Sequence, residues 1–279
     1  MTKSQIILVT ASVAAVILLF NLPKKALKDS KSDKVVQPTA GSSPAASHDD
    51  THASHDHAPE LIEEEKTLIA KLKKALATEE VLNKKVTLAD SVAAKYRQNF
   101  MYDSAAKYFD IQIQLKPNKA NLVKAGDNYY EAFNFTTDEK RSTAYAEKAR
   151  EIYQQLLQQY PEDLDLKSKM AMTFVASPNP MQGIMMLREV LAKDAKNELA
   201  IYNLGVLSVQ SGQFQKGVDR FLQLAKVNPS NAKAYFYLGV CYKELGEAAK
   251  AKVNFEKVKQ LEKDPSVIAT VDGYLKELK

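Results

Sequence analysis

The chain of 279 residues has one cysteine and no tryptophan, and its four histidines all lie between His48 and His57. A single cysteine excludes an internal disulfide. Because no histidine follows residue 57, the rest of the chain cannot build a Ser-His-Asp or Cys-His nucleophilic site. It also has no P-loop, GxGxxG or CxxC sequence. These absences argue against an enzyme, and we predict no cofactor and no small-molecule substrate.

Helix breakers are also scarce, with only nine glycines and ten prolines. With 45% apolar residues, the long segment after residue 60 is predicted to be helical throughout. The net charge of +5 arises from 39 basic and 34 acidic residues. Such a balance lacks the clustered basic face that is typical of nucleic-acid binding. We therefore expect an all-α protein that binds no nucleic acid.

An uncharged apolar run, IILVTASVAAVILLFNL, occupies Ile6–Leu22. As a helix its seventeen residues would span roughly 26 Å, at the short end of a bilayer crossing. No small-residue cleavage site follows, so residues 1–23 are predicted to be an uncleaved transmembrane anchor, with a cleaved signal peptide as the alternative. We expect a single-pass protein of the bacterial inner membrane.

The sequence does not decide on which side of the membrane the part of the chain after the anchor lies. The positive-inside rule places the body in the cytoplasm, because five lysines follow the apolar run: Lys24, Lys25, Lys28, Lys31 and Lys34. However, Asp29 and Asp33 interrupt these lysines, and many bacterial anchors of this kind export the soluble part. Both orientations therefore stay open.

Residues 24–59 are rich in Ser, Ala, Lys, Asp, Pro and Thr, and they are predicted to be a disordered linker because they can bury little apolar surface. The linker ends in SHDDTHASHDHAPE, whose imidazoles and carboxylates are weak metal-ligand candidates: His48, His52, His55 and His57. Their spacing matches no closed zinc motif, so we predict a plain spacer and no metal site. The alternative is a metal-handling protein that chelates with this tract and uses its folded part as a docking module.

Helical periodicity begins at Glu60. Apolar residues such as Leu61, Leu68 and Leu72 share one face of a predicted amphipathic helix over 60–85. Only about two heptads are present, which favours a packed or capping helix over a coiled coil. Dimerisation through this helix, and hence a homo-oligomer, is the alternative.

An internal period of 34 residues relates IYNLGVLSVQSGQFQKGVDRF, which starts at Ile201, to YFYLGVCYKELGEAAKAKVNF, which starts at Tyr235. In both, a Leu-Gly pair is followed by a small residue and then by an aromatic one, as in Gly205, Gly217 and Phe221. Small residues allow two helices to approach, and large residues fill the space between them. This pattern resembles the tetratricopeptide repeat.

The period predicts five units over 86–265, of which the last two match strongly and the first three are degenerate: 86–118, 119–163, 164–197, 198–231 and 232–265. Pro117 and Pro161 are 44 residues apart, so the second unit has about ten extra residues, which we place in a longer turn over Asn134–Thr143. Residues 266–279 are predicted to be a C-terminal capping helix. The resemblance implies a right-handed superhelical solenoid of helix pairs.

The resemblance also implies a concave groove lined by the first helix of each unit. Counting from the Leu-Gly pairs gives mostly apolar groove residues, which suit an apolar or amphipathic partner segment: Tyr130, Met172, Val175, Tyr202, Asn203, Val206, Val209, Phe236, Val240 and Lys243. Packing between units is the alternative role for about half of them. Some tetratricopeptide proteins clamp a partner's terminal carboxylate, for which Lys169 and Asn203 are isolated hints. Cys241 is expected to be a buried apolar residue.

Anchor, linker and repeats together resemble single-anchor bacterial tetratricopeptide proteins. This resemblance implies a membrane-tethered scaffold or chaperone-like accessory protein that acts in complex assembly or translocation. Its expected partners are other proteins or peptide segments in the groove, and the lipid bilayer through Ile6–Leu22.

Overall fold

A computed structural model describes residues 61–136, 138–175, 177 and 179–278. The predicted anchor, the linker and the four histidines lie outside these residues. The described part contains twelve α-helices and no strand: α1 Glu63–Thr78, α2 Leu82–Gln98, α3 Tyr102–Leu115, α4 Lys119–Phe135, α5 Glu139–Gln159, α6 Leu164–Val175, α7 Pro180–Lys193, α8 Glu198–Gln210, α9 Phe214–Val227, α10 Ala232–Glu244, α11 Ala248–Leu261 and α12 Pro265–Glu277. None of these twelve helices is both long and apolar enough to cross a membrane.

The helices pack as an array of neighbouring pairs. α2 packs on α3, α4 on α5, α6 on α7, α8 on α9 and α10 on α11, while α1 covers α2 and α12 covers α11. Each pair also contacts the next one along the chain, and α8 touches both α6 and α10. The fold is therefore an all-α array of helix pairs, in which α4, α6, α8 and α10 are the first helices of their pairs.

Asparagine caps and glycine turns explain the short connections between these helices. The side chains of Asn118, Asn197 and Asn231 cap α4, α8 and α10 by accepting a hydrogen bond from a first-turn backbone N–H. Inside the last two pairs the chain turns at Gly212 and Gly246, with φ of 71° and 78°. This left-handed region favours glycine because a Cβ would crowd the backbone.

Close helix approaches occur at Gly205 and Gly239. A Cβ added to either glycine would lie 2.6 Å from the ring of Phe221 or Phe255, respectively. Both rings are fully buried. The alternation of small and aromatic residues thus positions the two helices of a pair, as the sequence pattern predicts.

Residues 60–85 do not form one helix, which corrects the sequence-based expectation. α1 ends at Thr78 and α2 begins at Leu82. Between them, the backbone N–H of Val81 donates a 2.9 Å hydrogen bond to the carboxylate of Glu79. The turn lets α1 fold back on α2 and bury its apolar face, which a continuous helix could not do.

The longer turn predicted over Asn134–Thr143 is also wrong. α4 continues to Phe135 and α5 begins at Glu139, so the two helices have 17 and 21 residues. Asp138 caps α5 by accepting a 2.9 Å hydrogen bond from the backbone N–H of Arg141. The stretch contains no glycine or proline, so nothing in it ends α4 early.

Candidate functional site

A cavity of about 710 Å³ opens on the side of the array that the first helices form. Residues of α4, α6 and α8, together with the start of α10, supply nearly all of its wall. The wall is mostly apolar and includes the aromatic side chains of Tyr130, Phe133, Phe135, Tyr153 and Tyr202. Nine of the eighteen lining residues are charged or carry a side-chain amide, and they interrupt this apolar surface.

Six of the predicted groove residues line this cavity: Tyr130, Met172, Val175, Tyr202, Asn203 and Val206. They come from α4, α6 and α8. The structure therefore brings together the members of the predicted set that lie in the middle of the array.

The other four predicted groove residues do not line the cavity. Val209 and Phe236 are completely buried, and Val240 is 6% exposed, because all three belong to the core shared by α8–α12. Lys243 instead forms an ion pair with Glu277 of α12, with Nζ 2.7 Å from the carboxylate. Neighbouring helices thus cover α10 and the end of α8, so these four side chains do not face the cavity.

An ion pair crosses the cavity wall between α4 and α6. The ammonium of Lys169 donates to both carboxylate oxygens of Asp127, at 2.6 and 2.7 Å. The hydroxyl of Tyr153 donates to the same carboxylate at 2.7 Å, and burial raises the pKa of this phenol well above its usual value. Asp127 is therefore well supplied with donors, and Lys169 is committed to it rather than free to clamp a partner.

Glu131 lies one helical turn after Asp127 and has a different environment. Its nearest cation is Arg97 of α2, whose Nη1 is 3.7 Å from Oε1, which is too long for a hydrogen bond. Burial raises the pKa of Glu131, while the charges of Arg97 and Lys169 oppose that shift. Across the described ranges, no group donates a hydrogen bond to the Glu131 carboxylate.

The walls from α8 and α10 contribute further polar groups. Asn203 is only 7% exposed, yet its side-chain amide forms no hydrogen bond within the part of the chain that the structure describes. The ammonium of Lys233 lies 5.6 Å from the centre of the Tyr202 ring, and burial lowers its pKa. Glu198 accepts a 2.9 Å hydrogen bond from the side chain of Asn228.

The sequence reasoning missed several lining residues on α4. Asp127 follows Gly126 as Val206 follows Gly205, so the repeat register contained a signal for it. Phe133 and Phe135 lie in the last turn of α4, beyond the length of the other first helices, and the sequence analysis placed the end of this turn in a loop.

The described residues contain no group of three or more histidines, cysteines or acidic residues that could hold a metal ion. Cys241 is completely buried, as predicted, and burial raises the pKa of its thiol to about 12. A thiol in that state is protonated at neutral pH and is a poor nucleophile.

Comparison with known proteins agrees with this architecture. Two family profiles described as tetratricopeptide repeat match residues 120–163 and 221–253. Anaphase-promoting complex subunit 3 of Dictyostelium discoideum is 34% identical over 83 residues, which cover 29% of this chain and 9% of that protein. The chain thus spans less than a tenth of that relative's length.

Two solved structures share the fold at low identity. A tetratricopeptide repeat protein from Parabacteroides merdae has a TM-score of 0.53 and 18% identity, covering 76% of this chain and 79% of that one. A thermophilic tetratricopeptide repeat protein from Thermus thermophilus has a TM-score of 0.54 and 13% identity, covering 68% and 98%. With the matching profiles and the array of helix pairs, these likenesses lead to one conclusion: residues 120–163 and 221–253 are similar to tetratricopeptide repeats, and the array shares the fold of the two solved repeat proteins.

Proposed function

We propose that this protein is a membrane-tethered scaffold that holds a segment of a partner protein in the cavity between α4 and α10. Tetratricopeptide repeats bind protein and peptide partners, and stacked repeats use their extended concave surface to do so. The cavity carries the proposal, because its volume of about 710 Å³ and its apolar wall are typical of a binding site.

The composition of the wall favours an apolar or amphipathic segment. The side chains of Tyr130, Phe133 and Tyr202 present large aromatic surfaces that lose little conformational entropy on binding. Met172 adds a flexible thioether that adapts to the shape of its neighbours. Such a wall gains free energy mainly by removing apolar surface from water.

The wall is also held in place before any partner arrives. The Asp127–Lys169 ion pair joins α4 to α6. Tyr202 packs edge-on against Phe221 and Tyr237, with ring centres 6.4 and 5.7 Å apart. A site that is ordered in advance loses less entropy on binding, which supports a role in holding a partner segment.

The tether rests on the sequence. Ile6–Leu22 would anchor the chain, and residues 24–59, if they form the linker that the sequence predicts, would let the array move within roughly 30–36 Å of the bilayer. There it could meet components of an assembly or translocation complex. We expect the full chain to stay in the membrane pellet during alkaline extraction and a variant without residues 1–23 to be released. Release of the full chain would refute the tether.

Photo-crosslinking tests the cavity. Leu199 lines the cavity from the first turn of α8, whereas Leu222 is exposed on α9 outside it. We expect benzoylphenylalanine at position 199 in the full-length protein to give a discrete adduct in cells, and the same probe at position 222 to give none. Equal adducts from both positions, or none from position 199, would contradict the proposed site.

A substitution at the same position, Leu199, tests whether the cavity is needed for binding. Leu199→Asp places a charge in the apolar wall, yet an acidic side chain in the first turn complements the helix dipole, so α8 should keep its fold. The partner identified by crosslinking should no longer co-purify with Leu199→Asp but should still co-purify with Leu222→Asp. Unchanged recovery with Leu199→Asp would move the binding site away from the cavity.

A further inference from the structure

We infer that the bound partner segment presents a basic side chain, a lysine or an arginine, to the carboxylate of Glu131. This inference rests on the proposed function, because it names the chemistry of the segment that the cavity holds. Two polar groups in the cavity wall, Glu131 and Asn203, make no hydrogen bond within the described residues, and each fits a different part of such a segment.

The first argument is the contrast between Glu131 and Asp127 on the same wall of α4. Asp127 receives donors from Lys169 and Tyr153 at 2.6–2.7 Å. Glu131 has only the guanidinium of Arg97, 3.7 Å away, although just 29% of its side chain is exposed. A half-buried carboxylate without donors is a site for a group that brings them, such as an ammonium or a guanidinium.

The second argument is the direction from which Glu131 can be reached. Arg97 belongs to α2 and does not line the cavity, so it approaches Glu131 from outside. Lys169 lines the cavity but is engaged by Asp127, and Lys233 lies farther along the array on α10. The cavity side of the Glu131 carboxylate is therefore open to a charge from the partner.

The third argument is the aromatic surface beside Glu131. Tyr130 and Phe133 line the same cavity from α4, and Phe135 continues this wall. The faces of aromatic rings attract cations, and their apolar bodies pack against the methylene stem of lysine or arginine. The α4 wall thus offers a carboxylate for the charge and apolar surface for the stem.

Asn203 indicates that the segment is a peptide. Its amide carries both a donor and an acceptor and lines the cavity, although the residue as a whole is only 7% exposed. A main-chain peptide group presents the complementary acceptor and donor. An apolar ligand without such groups would leave the Asn203 amide unpaired after water is excluded, which is unfavourable.

Selection from a random peptide library tests the inference on the purified full-length protein in detergent micelles. We expect seven-residue peptides displayed on phage to be enriched for Lys or Arg at one position beside apolar residues. Glu131→Gln should weaken a selected peptide at least about tenfold, as expected for a charge-assisted hydrogen bond. Glu131→Lys should replace the basic preference with an acidic one. Glu151→Gln, which removes an exposed carboxylate on α5 outside the cavity, should leave binding unchanged.

The peptide supplies a test that does not depend on the folding of a variant. Replacing the basic residue of a selected peptide with citrulline should weaken its binding to the unmodified protein about as much as Glu131→Gln does. The same replacement should have little further effect on Glu131→Gln, because the two changes remove one interaction.

The two proposals fail separately. Selected peptides that lose affinity for Leu199→Asp but show no preference for Lys or Arg would overturn the role of Glu131 and leave the cavity as the binding site. If no selected peptide loses affinity for Leu199→Asp, both the proposed function and this inference are wrong.

Discussion

The C-terminal end of the array and its middle are built from the same kind of helix pair but are held together differently. Helices α8–α12 share one continuous apolar core, which includes the rings of Phe221, Phe236 and Phe255. Helices α4–α6 share a second apolar core with α2 and α3, to which polar links are added. The hydroxyl of Tyr153 donates to Asp127, and the guanidinium of Arg150 donates to the backbone carbonyl of Thr173 at 2.8 Å. The cavity lies over the middle.

The difference teaches where binding surface can arise in a repeat array. A side chain that fills the core between two helices is removed from contact with a partner, as happens to Phe236. Where the repeat pattern is degenerate, side chains such as Phe133 and Phe135 stay partly exposed on α4 and line the cavity. The cavity wall therefore combines partly exposed residues of the degenerate units with residues of α8, which belongs to a regular pair.

The turns of the two regions differ in the same way. Gly212 and Gly246 take the left-handed conformation in the regular pairs, whereas Phe100 adopts it, with φ of 59°, between α2 and α3. Its ring centre lies 6.3 Å from that of Phe135, which lines the cavity and also stacks on Tyr102 at 5.2 Å. The contact between the Phe100 and Phe135 rings thus offsets the unfavourable backbone conformation of Phe100 and helps to hold the cavity wall in place.

The largest effect is expected from opening the C-terminal core. Phe221→Ala removes a buried ring that packs on Gly205 and stacks on Tyr237 with centres 4.8 Å apart. We expect the free energy of unfolding in urea to fall by about 3–5 kcal/mol. The neighbouring Leu222→Ala, at an exposed site, should cost less than about 0.5 kcal/mol. Similar losses for the two variants would show that the core is not as close-packed as the geometry indicates.

A pair of tyrosines compares the two regions directly. Tyr153→Phe removes a hydrogen bond to the charged carboxylate of Asp127 and should lower the free energy of unfolding by about 2 kcal/mol. Among the described residues, the buried hydroxyl of Tyr237 meets only the neutral hydroxyl of Tyr202, without good hydrogen-bond geometry, so Tyr237→Phe should cost much less than Tyr153→Phe. Thermal unfolding followed by circular dichroism measures both, and equal losses would remove the distinction between polar and apolar links.

The turns give the next largest effect. Gly246→Ala should lower the free energy of unfolding by about 1 kcal/mol. The whole loss should come from the left-handed backbone conformation, because no described atom lies within 4 Å of the added Cβ. Phe100→Gly relieves the same kind of conformation but loses the ring contact with Phe135, so we expect no gain in denaturation midpoint. A clear gain would show that this contact does not brace the cavity wall.

The smallest effect concerns the cavity itself. Because burial raises the pKa of Glu131, its ionised form is less favourable in the folded state, and its contribution to stability falls as pH rises from about 4.3 through the folded pKa. Glutamine cannot ionise, so Glu131→Gln removes the cost of a buried charge and should raise the free energy of unfolding by roughly 0.5 kcal/mol at pH 7. At pH 4 the variant should show no such gain. Lower stability at pH 7 would show that pairing with Arg97 outweighs the cost of burial.

The helix pairs were predictable because their signals are local or periodic. The Leu-Gly spacing identifies Gly205 and Gly239 as points of close approach, and the ring that fills each gap follows sixteen residues later, at Phe221 and Phe255. Even Asp127 could have been located by transferring the Val206 position to α4. The extension of α4 to Phe135 could not have been predicted, because the additional turn has no counterpart in the other repeats and so gives no periodic signal.

The roles of individual first-helix residues were less predictable. Lys243 occupies a groove-facing register, but α12 covers it and supplies Glu277 as its partner. Glu131 carries no mark in the sequence that would distinguish it from a solvated surface carboxylate. Its exceptional feature is the lack of hydrogen-bond donors, which depends on where α2, α5 and α6 place their side chains.

By itself, the sequence determined the helical class, the 34-residue period and the small-and-aromatic packing within pairs, because these depend on residues that are near in the chain or repeat at a constant spacing. Only the tertiary structure decided which side chains line the cavity and which charges are paired. Asp127 and Lys169 are 42 residues apart, and their contact exists only because the array brings α4 and α6 close enough for these side chains to meet. Whether a side chain is buried or paired depends on the residues around it, and in a stacked array the packing of the helices determines which residues those are.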